Sequence, residues 1–358
     1  MKRKYLATAT FAALGALASS AYAQTNVSIY GIIDTGVEYV NNANANKDGL
    51  LRLSSGAMNT SRIGFRGTED LGGGLKAVFQ LENGFKVDTG EFDSTGVLFN
   101  RQANVGLEGN FGRLVAGRSF TTTYDFILPF DPMGYSGQYS WVTSAGATGG
   151  RKDGMPTNLQ NILKYQGKFG NFKLGATYGF GEVAGSTSDS AKYDLGIGYE
   201  SGPFRIAATF DRVNGAAANP ANSAYDKATS IHLAGDYQLG GNLDLNLGYR
   251  NYKKTLASHA PDLRSDFFWG GASYKVTPVV TLIGAIYYQN IKNVPSGKDA
   301  DPIMYSVRGK YALSKRTDLY LSAAYAKAKN QQLVGLSRDD IAFGSSQTGV
   351  IAGMQHRF

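Results

Sequence analysis

The sequence predicts an all-β protein, a sixteen-stranded antiparallel transmembrane β-barrel with short periplasmic turns, long extracellular loops and an inward-folded third loop. Three observations favour this class. Large apolar side chains alternate with polar ones along segments of about 10 residues, the length that a tilted barrel strand requires. The connections between these segments are alternately short and long. Beyond the N-terminal leader, no stretch approaches the ~18 uninterrupted apolar residues of a membrane helix, so a spanning chain would cross as strands.

The leader, residues 1–23, has the three parts of a secretory signal peptide. Basic residues occupy positions 2–4, an apolar run covers 6–18, and a small-x-small cleavage site lies at 21–23. The run is shorter than the ~20 apolar residues that a membrane span needs, and no stop-transfer charges follow it. We therefore expect an exported protein whose barrel comprises residues 24–358, and an exported barrel of this kind would reside in an outer membrane.

The composition fits exported strands and argues against several classes. The chain has 46 Gly, 22 Tyr and 19 Phe, only 9 Pro, and no Cys, which excludes disulfides, thiol nucleophiles and thiolate metal sites. The formal net charge is +8, but the mature chain has no long basic run, and export argues against a nucleic-acid partner. The excess cations are either dispersed on a solvated surface or line a water-filled lumen and bias it towards anions.

The first and last predicted strands share the alternating pattern. One face of the last strand carries Val350, Ala352, Met354, His356 and Phe358. One face of the first strand carries Val27, Ile29, Ile33, Val37 and Tyr39. A free terminal strand would be a sheet edge prone to aggregation, so we expect these two strands to pair and close the barrel.

Sixteen strands require fifteen connections, and the sequence provides seven tight turns and eight long polar segments. The tight turns lie at 71–74, 109–112, 167–171, 201–203, 239–242, 276–278 and 313–316. The long segments lie around 41–60, 84–100, 119–160, 181–191, 214–228, 253–265, 291–302 and 329–346. Aromatic girdles at the two membrane interfaces would include Tyr199, Phe204, Phe210, Tyr237, Tyr249, Tyr311 and Tyr325. The alternative is a soluble sandwich, whose single core could not bury so many one-sided strands.

The third long segment, 119–160, is the candidate constriction loop. Its apolar centre, residues 126–130, is flanked by Asp125 and Asp131. A loop of this length is usually functional or disordered, and the apolar centre argues against disorder. Folded into the lumen, the loop would bury that centre against the barrel wall and place Asp125 and Asp131 at a constriction. The alternative is a flap on the surface.

Candidate basic residues lie on the opposing wall. By alternation with lipid-facing neighbours, Arg62 and Arg66 face the lumen, and the same reasoning turns Lys164 inward. Arg101 is on the lipid-facing phase, but it begins its strand, where a bulge or loop twist could re-aim it. Each of these cations could instead be a solvated or phosphate-facing charge.

Opposed cations and carboxylates across a narrow, water-filled neck would create a transverse field. Such a field orients permeating solutes, and an excess of cations favours anions. This function requires no proton transfer, covalent step, cofactor or metal.

Four motifs carry a family resemblance: VSIYG at 27–31, SRIGFRGTEDLGGGL at 61–75, GRLVAGR at 112–118 and GMQHRF at 353–358. Together they resemble Gram-negative trimeric general porins of the betaproteobacterial type, over the leader and all of residues 24–358. The resemblance implies a homotrimer in the outer membrane that lets small hydrophilic solutes and ions diffuse passively, with no nucleic-acid partner.

The resemblance also implies site residues and further partners. Family constriction arginines lie on the second, fourth and sixth strands and match Arg62, Arg101 and Lys164; the last is a lysine where related anion-selective members have arginine. Phe358 resembles the terminal signal read by the outer-membrane assembly machinery. Family trimers pack through apolar outer walls near the first and last strands, and outer-membrane lipid and lipopolysaccharide would surround the rest.

Three other functions compete with a general channel. An enzyme would need an activated nucleophile or water, yet the three histidines are scattered and no Gly-x-Ser-x-Gly, paired-histidine or Gly-x-Gly-x-x-Gly motif occurs, so we expect no enzymatic activity. A closed adhesive barrel would need a complete plug, because barrels of about 16 strands leave an aqueous channel. A substrate-specific channel, with an aromatic track that Tyr30 and Tyr320 could join, stays open.

Overall fold

The computed structural model describes residues 26–143, 154–216, 225–260, 262–292, 300–337 and 342–358. The predicted signal peptide, residues 1–23, lies outside the described residues, as do parts of several long connections. No helix within the described ranges is long and apolar enough to cross a membrane.

Seventeen β-strands occur in the described residues, and all seven predicted tight turns separate consecutive strands. The strands are β1 (Asn26–Val40), β2 (Leu50–Ser55), β3 (Arg62–Gly72), β4 (Leu75–Gly84), β5 (Gln102–Gly109), β6 (Gly112–Phe120), β7 (Asn158–Phe169), β8 (Phe172–Gly179), β9 (Lys192–Ser201), β10 (Phe204–Asn214), β11 (Lys227–Leu239), β12 (Leu243–Thr255), β13 (Leu263–Lys275), β14 (Val280–Lys292), β15 (Ile303–Ala312), β16 (Thr317–Lys327) and β17 (Ser346–Arg357).

Sixteen of these strands form a closed antiparallel ring, which confirms the predicted fold class. β1 pairs with β3, each later strand pairs with the next, and β17 pairs with β1. The predicted pairing of the first and last strands runs from Ile32 opposite Arg357 to Val40 opposite Gly349. Beyond it, Gly31 and Phe358 exchange two backbone hydrogen bonds of 3.1 Å each. The sheet therefore has no free edge at its termini.

The short strand β2 was not predicted. It pairs with residues 35–40 of β1, whereas β3 pairs with residues 26–32 of the same strand. The intervening residues 56–61 lie opposite only Ile33 and Asp34. The Asp34 carboxylate accepts hydrogen bonds from the backbone N–H groups of Met58 (3.4 Å) and Asn59 (3.1 Å), so it satisfies donors that the interrupted ladder leaves unpaired.

The two faces of the barrel wall differ in polarity as the alternation predicted. Outward side chains are apolar and exposed, and Leu51 and Leu247 each reach 70 % exposure. Inward side chains such as Asp34 and Gln355 are polar and buried. Five of the predicted girdle residues are exposed on the outer surface, namely Phe204, Phe210, Tyr237, Tyr311 and Tyr325. Lipid can cover this exterior, and water can reach the interior.

The connection between β6 and β7, residues 121–157, is here called loop 3, and it folds into the lumen as predicted. It begins with helix α1 (Thr122–Ile127), whose N-cap Thr121 accepts a hydrogen bond from the Tyr124 N–H. A 3-10 turn, Leu128–Phe130, follows. Three residues of the predicted apolar centre, Phe126, Ile127 and Phe130, are buried in one cluster with inward residues of the barrel wall, among them Trp269 and Tyr287, while Pro129 is exposed.

Candidate functional site

A cavity of about 600 Å³ separates part of loop 3 from the barrel wall. Three arginines line it from the wall: Arg62 at the start of β3, Arg101 just before β5, and Arg118 on β6. Tyr124 and Asp125 of α1 line it from the other side. The structure therefore brings the predicted cations Arg62 and Arg101 together, across from the predicted carboxylate of Asp125.

Arg62 faces the lumen, as the phase of its strand predicted. Its side chain is half-buried and lines the cavity. Within the described ranges, its side chain forms no hydrogen bond or ion pair; its charged neighbours include Arg101 and Glu82. Because no carboxylate is bonded to this guanidinium, its charge acts on the contents of the cavity.

Arg101 is re-aimed into the lumen at the point where its strand begins. Regular pairing ends with Gln102 opposite Glu82, and the Arg101 N–H also donates to the Glu82 carbonyl at 3.2 Å. The Arg101 Nε donates to Glu82 Oε1 at 2.7 Å, and its guanidinium carbon lies 5.0 Å from the Phe120 ring centroid. Glu82, which also accepts from the Tyr30 hydroxyl at 2.8 Å, was not predicted, although it lies on the inward phase of β4.

Arg118 is a third cavity cation that sequence reasoning missed, although it ends the GRLVAGR motif. Its Nε donates to the Asn100 carbonyl at 2.6 Å, and its Nη1 donates to Gln160 Oε1 at 3.2 Å. Both acceptors are neutral. The hydrogen bonds therefore orient the guanidinium without cancelling its charge.

Lys164 faces inward as predicted but is bonded to the acidic side of the site. Its Nζ donates to the Phe120 carbonyl at 2.8 Å and pairs with Asp125 Oδ2. Gln166 Nε2 donates to the same Asp125 oxygen at 2.8 Å. Lys164 and Asp125 therefore join the wall to α1, and their charges largely compensate each other.

Arg66 lies apart from the constriction, contrary to the prediction. It faces the lumen, but it lines a separate space of about 640 Å³ with Asp70 and Lys76, near the end of the barrel with the tight turns. Its Nε donates to Ser28 Oγ at 3.2 Å. The physical reason is its position four residues along β3 from Arg62, which is about 13 Å along an extended chain.

Asp131 also departs from its predicted place at the constriction. Its carboxylate is buried and accepts hydrogen bonds from the Tyr287 hydroxyl (2.7 Å), the Ser140 hydroxyl (2.7 Å) and the N–H groups of Met133 (3.1 Å) and Tyr135 (2.7 Å). Burial raises the pKa of this carboxyl, and the hydrogen bonds act in the opposite direction. Asp131 fixes the shape of loop 3 and ties it to β14.

Further contacts hold loop 3 across the lumen. Asp194 of β9 accepts from the Thr123 N–H at 2.8 Å and the Thr123 hydroxyl at 2.7 Å, at the start of α1. The Trp269 indole N–H donates to the Phe130 carbonyl at 2.9 Å. Arg308 Nη2 donates to the Ser136 hydroxyl at 2.8 Å. These wall residues come from strands distant in sequence, so no local pattern could have identified them.

The three histidines do not form a catalytic arrangement with one another. His232 is buried in the wall, with its Nδ1 3.8 Å from Asp211 Oδ2. His356 shares a hydrogen bond with the Thr317 hydroxyl near the end of the barrel with the tight turns. His259 lies in the connection between β12 and β13. Among the described residues, no group of three or more His, Asp or Glu side chains is arranged to hold a metal ion. The site offers fixed charges and hydrogen-bonding groups facing water.

A closed sixteen-stranded barrel with an apolar exterior and a charged, partly open interior defines a membrane channel. Comparison with known proteins agrees with this class. Residues 8–331 match the model of the Gram-negative porin family, so the chain belongs to that family. It is an outer-membrane porin.

Individual relatives support the assignment over the full length. Outer membrane porin protein 32 of Delftia acidovorans is 32 % identical, and an outer membrane porin protein of Bordetella pertussis is 28 % identical; both alignments cover the whole of each chain. Among solved structures, an anion-selective porin from Comamonas acidovorans matches with a TM-score of 0.81 at 29 % identity, covering 94 % of this chain and 100 % of that one.

Proposed function

We propose that this porin prefers anions and that Arg62, Arg101 and Arg118 form the basic side of its constriction. The channel passes small hydrophilic solutes and ions by passive diffusion and performs no enzymatic reaction. The observation that carries this proposal is the unequal pairing of charges around the cavity. Arg62 and Arg118 contact no carboxylate, whereas Glu82 is bonded to Arg101 and Asp125 to Lys164. Asp93 also lines the cavity and accepts from Asn100 Nδ2 at 3.4 Å. Four cations, Arg62, Arg101, Arg118 and Lys164, therefore exceed three carboxylates, Glu82, Asp93 and Asp125, by one positive charge.

The size of the preference follows from simple electrostatics. A unit charge about 8 Å from a permeating ion in water changes its energy by about 0.5 kcal/mol, which is roughly a twofold change in permeability. Chloride gains this energy and potassium loses it, so one uncompensated positive charge favours chloride over potassium by a factor of roughly 5, and screening by salt in the channel reduces this factor towards about 2. The Comamonas porin, described as anion-selective, supports the sign of the preference.

The proposal includes three kinds of partner. The chain assembles as a homotrimer, whose apolar contact surface lies near the first and last strands, where Tyr39, Leu51 and Leu53 are exposed. Outer-membrane lipid and lipopolysaccharide contact the remaining outer wall. The assembly machinery of the outer membrane reads the C-terminal strand and its Phe358, which projects outward and is 43 % exposed.

The experiment is the conductance of refolded mature protein in a planar bilayer, together with the zero-current potential in a KCl gradient. Channel openings in groups of three would support the trimer. A zero-current potential with the sign of the chloride equilibrium potential would support the anion preference. A potential of the opposite sign would overturn the selectivity but leave the channel intact. Folded protein without conductance would contradict the open channel.

A further inference from the structure

Four cations form a row on the outer surface of the barrel, at the end with the long loops. The row runs through directly paired positions of five neighbouring strands. Arg212 of β10 pairs with Thr229 of β11, Thr229 with Lys253 of β12, Lys253 with Arg264 of β13, and Arg264 with Lys292 of β14. Because neighbouring strands are about 4.8 Å apart, the row extends roughly 19 Å. Arg212, Lys253, Arg264 and Lys292 are here called the basic row.

The basic row faces away from the lumen. Leu247 is exposed on the same face of β12 as Lys253, and Phe268 is exposed on the same face of β13 as Arg264. Trp269, the residue after Phe268, is on the other face and is buried against loop 3. The side chains of Lys253, Arg264 and Lys292 are 46 %, 49 % and 48 % exposed. These charges therefore meet the surroundings of the barrel and not its channel.

The height of the basic row relative to the membrane follows from an aromatic row below it. Tyr249, Phe268 and Tyr288 are paired across β12, β13 and β14, with ring centroids 5.0 and 6.3 Å apart. Each lies four residues from the cation on its strand, about 13 Å along the strand and roughly 10 Å along the membrane normal at a tilt of about 40°. Since aromatic girdles mark the membrane interface, the basic row lies at the level of lipid headgroups.

Two carboxylates arrange the cations without neutralising all of them. Asp262 Oδ2 lies 3.1 Å from Lys253 Nζ and 3.2 Å from Arg264 Nη2, and Asp266 pairs with Lys292. Hydrogen bonds from Lys253 and Arg264 lower the pKa of Asp262. Arg212 donates to the neutral Asn214 side chain at 3.1 Å. Four cations and two carboxylates leave an excess of positive charge, which suits an anionic partner.

The opposite side of the barrel has a different outer rim. At the same end of β1 and β2, the outward residues are Tyr39, Leu51 and Leu53, all of them exposed and none of them charged. The basic row is therefore a property of the wall that faces away from the proposed subunit contact. Headgroup phosphates are the anions that lie at this height in an outer leaflet, and Arg and Lys are their usual ligands.

We propose that the basic row binds the phosphate groups of a phosphorylated glycolipid in the outer leaflet, as carried by the lipid A part of lipopolysaccharide. This inference rests on the proposed contact of the outer wall with lipopolysaccharide and assigns it to Arg212, Lys253, Arg264 and Lys292. The phosphates approach from the exposed side of the cations, and the ion pairs with Asp262 and Asp266 position Lys253, Arg264 and Lys292.

The test is a titration of detergent-purified protein with lipid A, followed by native mass spectrometry. The variant Lys253→Gln/Arg264→Gln/Lys292→Gln should bind at least about tenfold more weakly than wild type, since each surface cation contributes on the order of 1 kcal/mol to binding of anionic lipid, or about fivefold in affinity. The matched control Lys275→Gln/Lys315→Gln/Arg316→Gln removes three cations near the tight turns and should bind as wild type. The single variant Arg264→Gln, expected to bind severalfold more weakly, serves if the triple variant does not fold.

Two further ligands separate the sources of phosphate. Lipid A from which the phosphates have been removed should bind to wild type as weakly as intact lipid A binds to the triple variant. Equal binding of both lipids, or equal loss in the control variant, would overturn the proposal. Inorganic phosphate at equimolar concentration should not displace lipid A; displacement would assign the row to the free ion. The zero-current potential of the channel should be the same in wild type and in the triple variant. A failure of the lipid A proposal can therefore be distinguished from a failure of the proposed anion preference.

Discussion

At the scale of single residues, the inward-facing basic side chains differ in how much of their charge reaches the cavity. Arg62 has no carboxylate partner among the described residues, and Arg118 is bonded to neutral oxygens. Arg101 is bonded to Glu82, and Lys164 to Asp125. A compensated cation acts at a distance as part of a dipole, whose field decays faster than that of a single charge. The same residue type therefore contributes unequally to selectivity.

Replacement of Lys164 tests this distinction. Lys164→Gln leaves the partly exposed Asp125 carboxylate without its cation, so the constriction gains a net negative charge and the anion preference should fall roughly twofold. The double variant Lys164→Gln/Asp125→Asn restores the charge and should return close to the wild-type zero-current potential. A single variant with the wild-type potential would show that the pair does not act on the ion path.

Alternation predicted the orientation of Arg62 and Lys164, because side chains on a regular strand change face at every residue. It could not predict Arg101, whose direction depends on the register position at which the ladder with β4 ends. Glu82 was missed because its importance appears only when β4 and β5 are neighbours. Asp131 was misplaced because one of its partners, Tyr287, is 156 residues away in the sequence.

At the scale of elements, the stability of loop 3 inside the lumen depends on a few buried polar contacts. Asp131→Ala removes a carboxylate that accepts four hydrogen bonds and leaves the Tyr287 hydroxyl without this acceptor. We expect a loss of roughly 3 kcal/mol in the free energy of unfolding, together with noisier open-channel current. Thermal unfolding followed by circular dichroism measures the first effect, and single-channel recording the second.

The control for this experiment is Asp125→Ala, which removes the other predicted carboxylate of loop 3. Asp125 is partly exposed, and its carboxylate is bonded to two side chains of a single strand, β7. Its loss should therefore destabilise the protein less than the loss of Asp131. Equal stability of both variants and wild type would contradict the assigned role of Asp131 as a structural tie.

The inward fold of loop 3 was predictable because residues 126–130 are too apolar for an exposed loop. The wall residues that receive this centre were less visible, since Phe267, Trp269 and Tyr287 lie on the inward phase that alternation assigns to polar groups. β2 was not predicted because it lies within a segment read as a loop. Its pairing follows from the length of β1, which continues well beyond the residues paired with β3.

At the scale of the whole molecule, the backbone and the ring of Phe358 can be tested separately, the first for closure of the barrel and the second for the proposed assembly signal. The Phe358 backbone exchanges hydrogen bonds with Gly31, and its ring projects outward. Phe358→Ala keeps the backbone bonds, so the refolded variant should unfold at nearly the wild-type temperature. In cells, the same variant should accumulate severalfold less in the outer membrane if the ring is read during assembly.

Met354→Ala provides the comparison, because Met354 is also an outward, exposed residue of β17. It should accumulate at the wild-type level in fractionated membranes. Equal accumulation of Phe358→Ala and Met354→Ala would remove the assembly role, whereas a large loss of thermal stability in Phe358→Ala would make the ring a structural element of the closure.

The zero-current potential of Arg62→Gln in a KCl gradient tests the central claim most directly, with Arg66→Gln as its matched control. Both arginines face the lumen from β3, but only Arg62 lines the cavity beside loop 3. The account predicts that Arg62→Gln moves the potential towards that of potassium by roughly a twofold change in permeability ratio, and that Arg66→Gln moves it less. An unchanged potential in Arg62→Gln, or an equal shift in both variants, would contradict the assigned constriction.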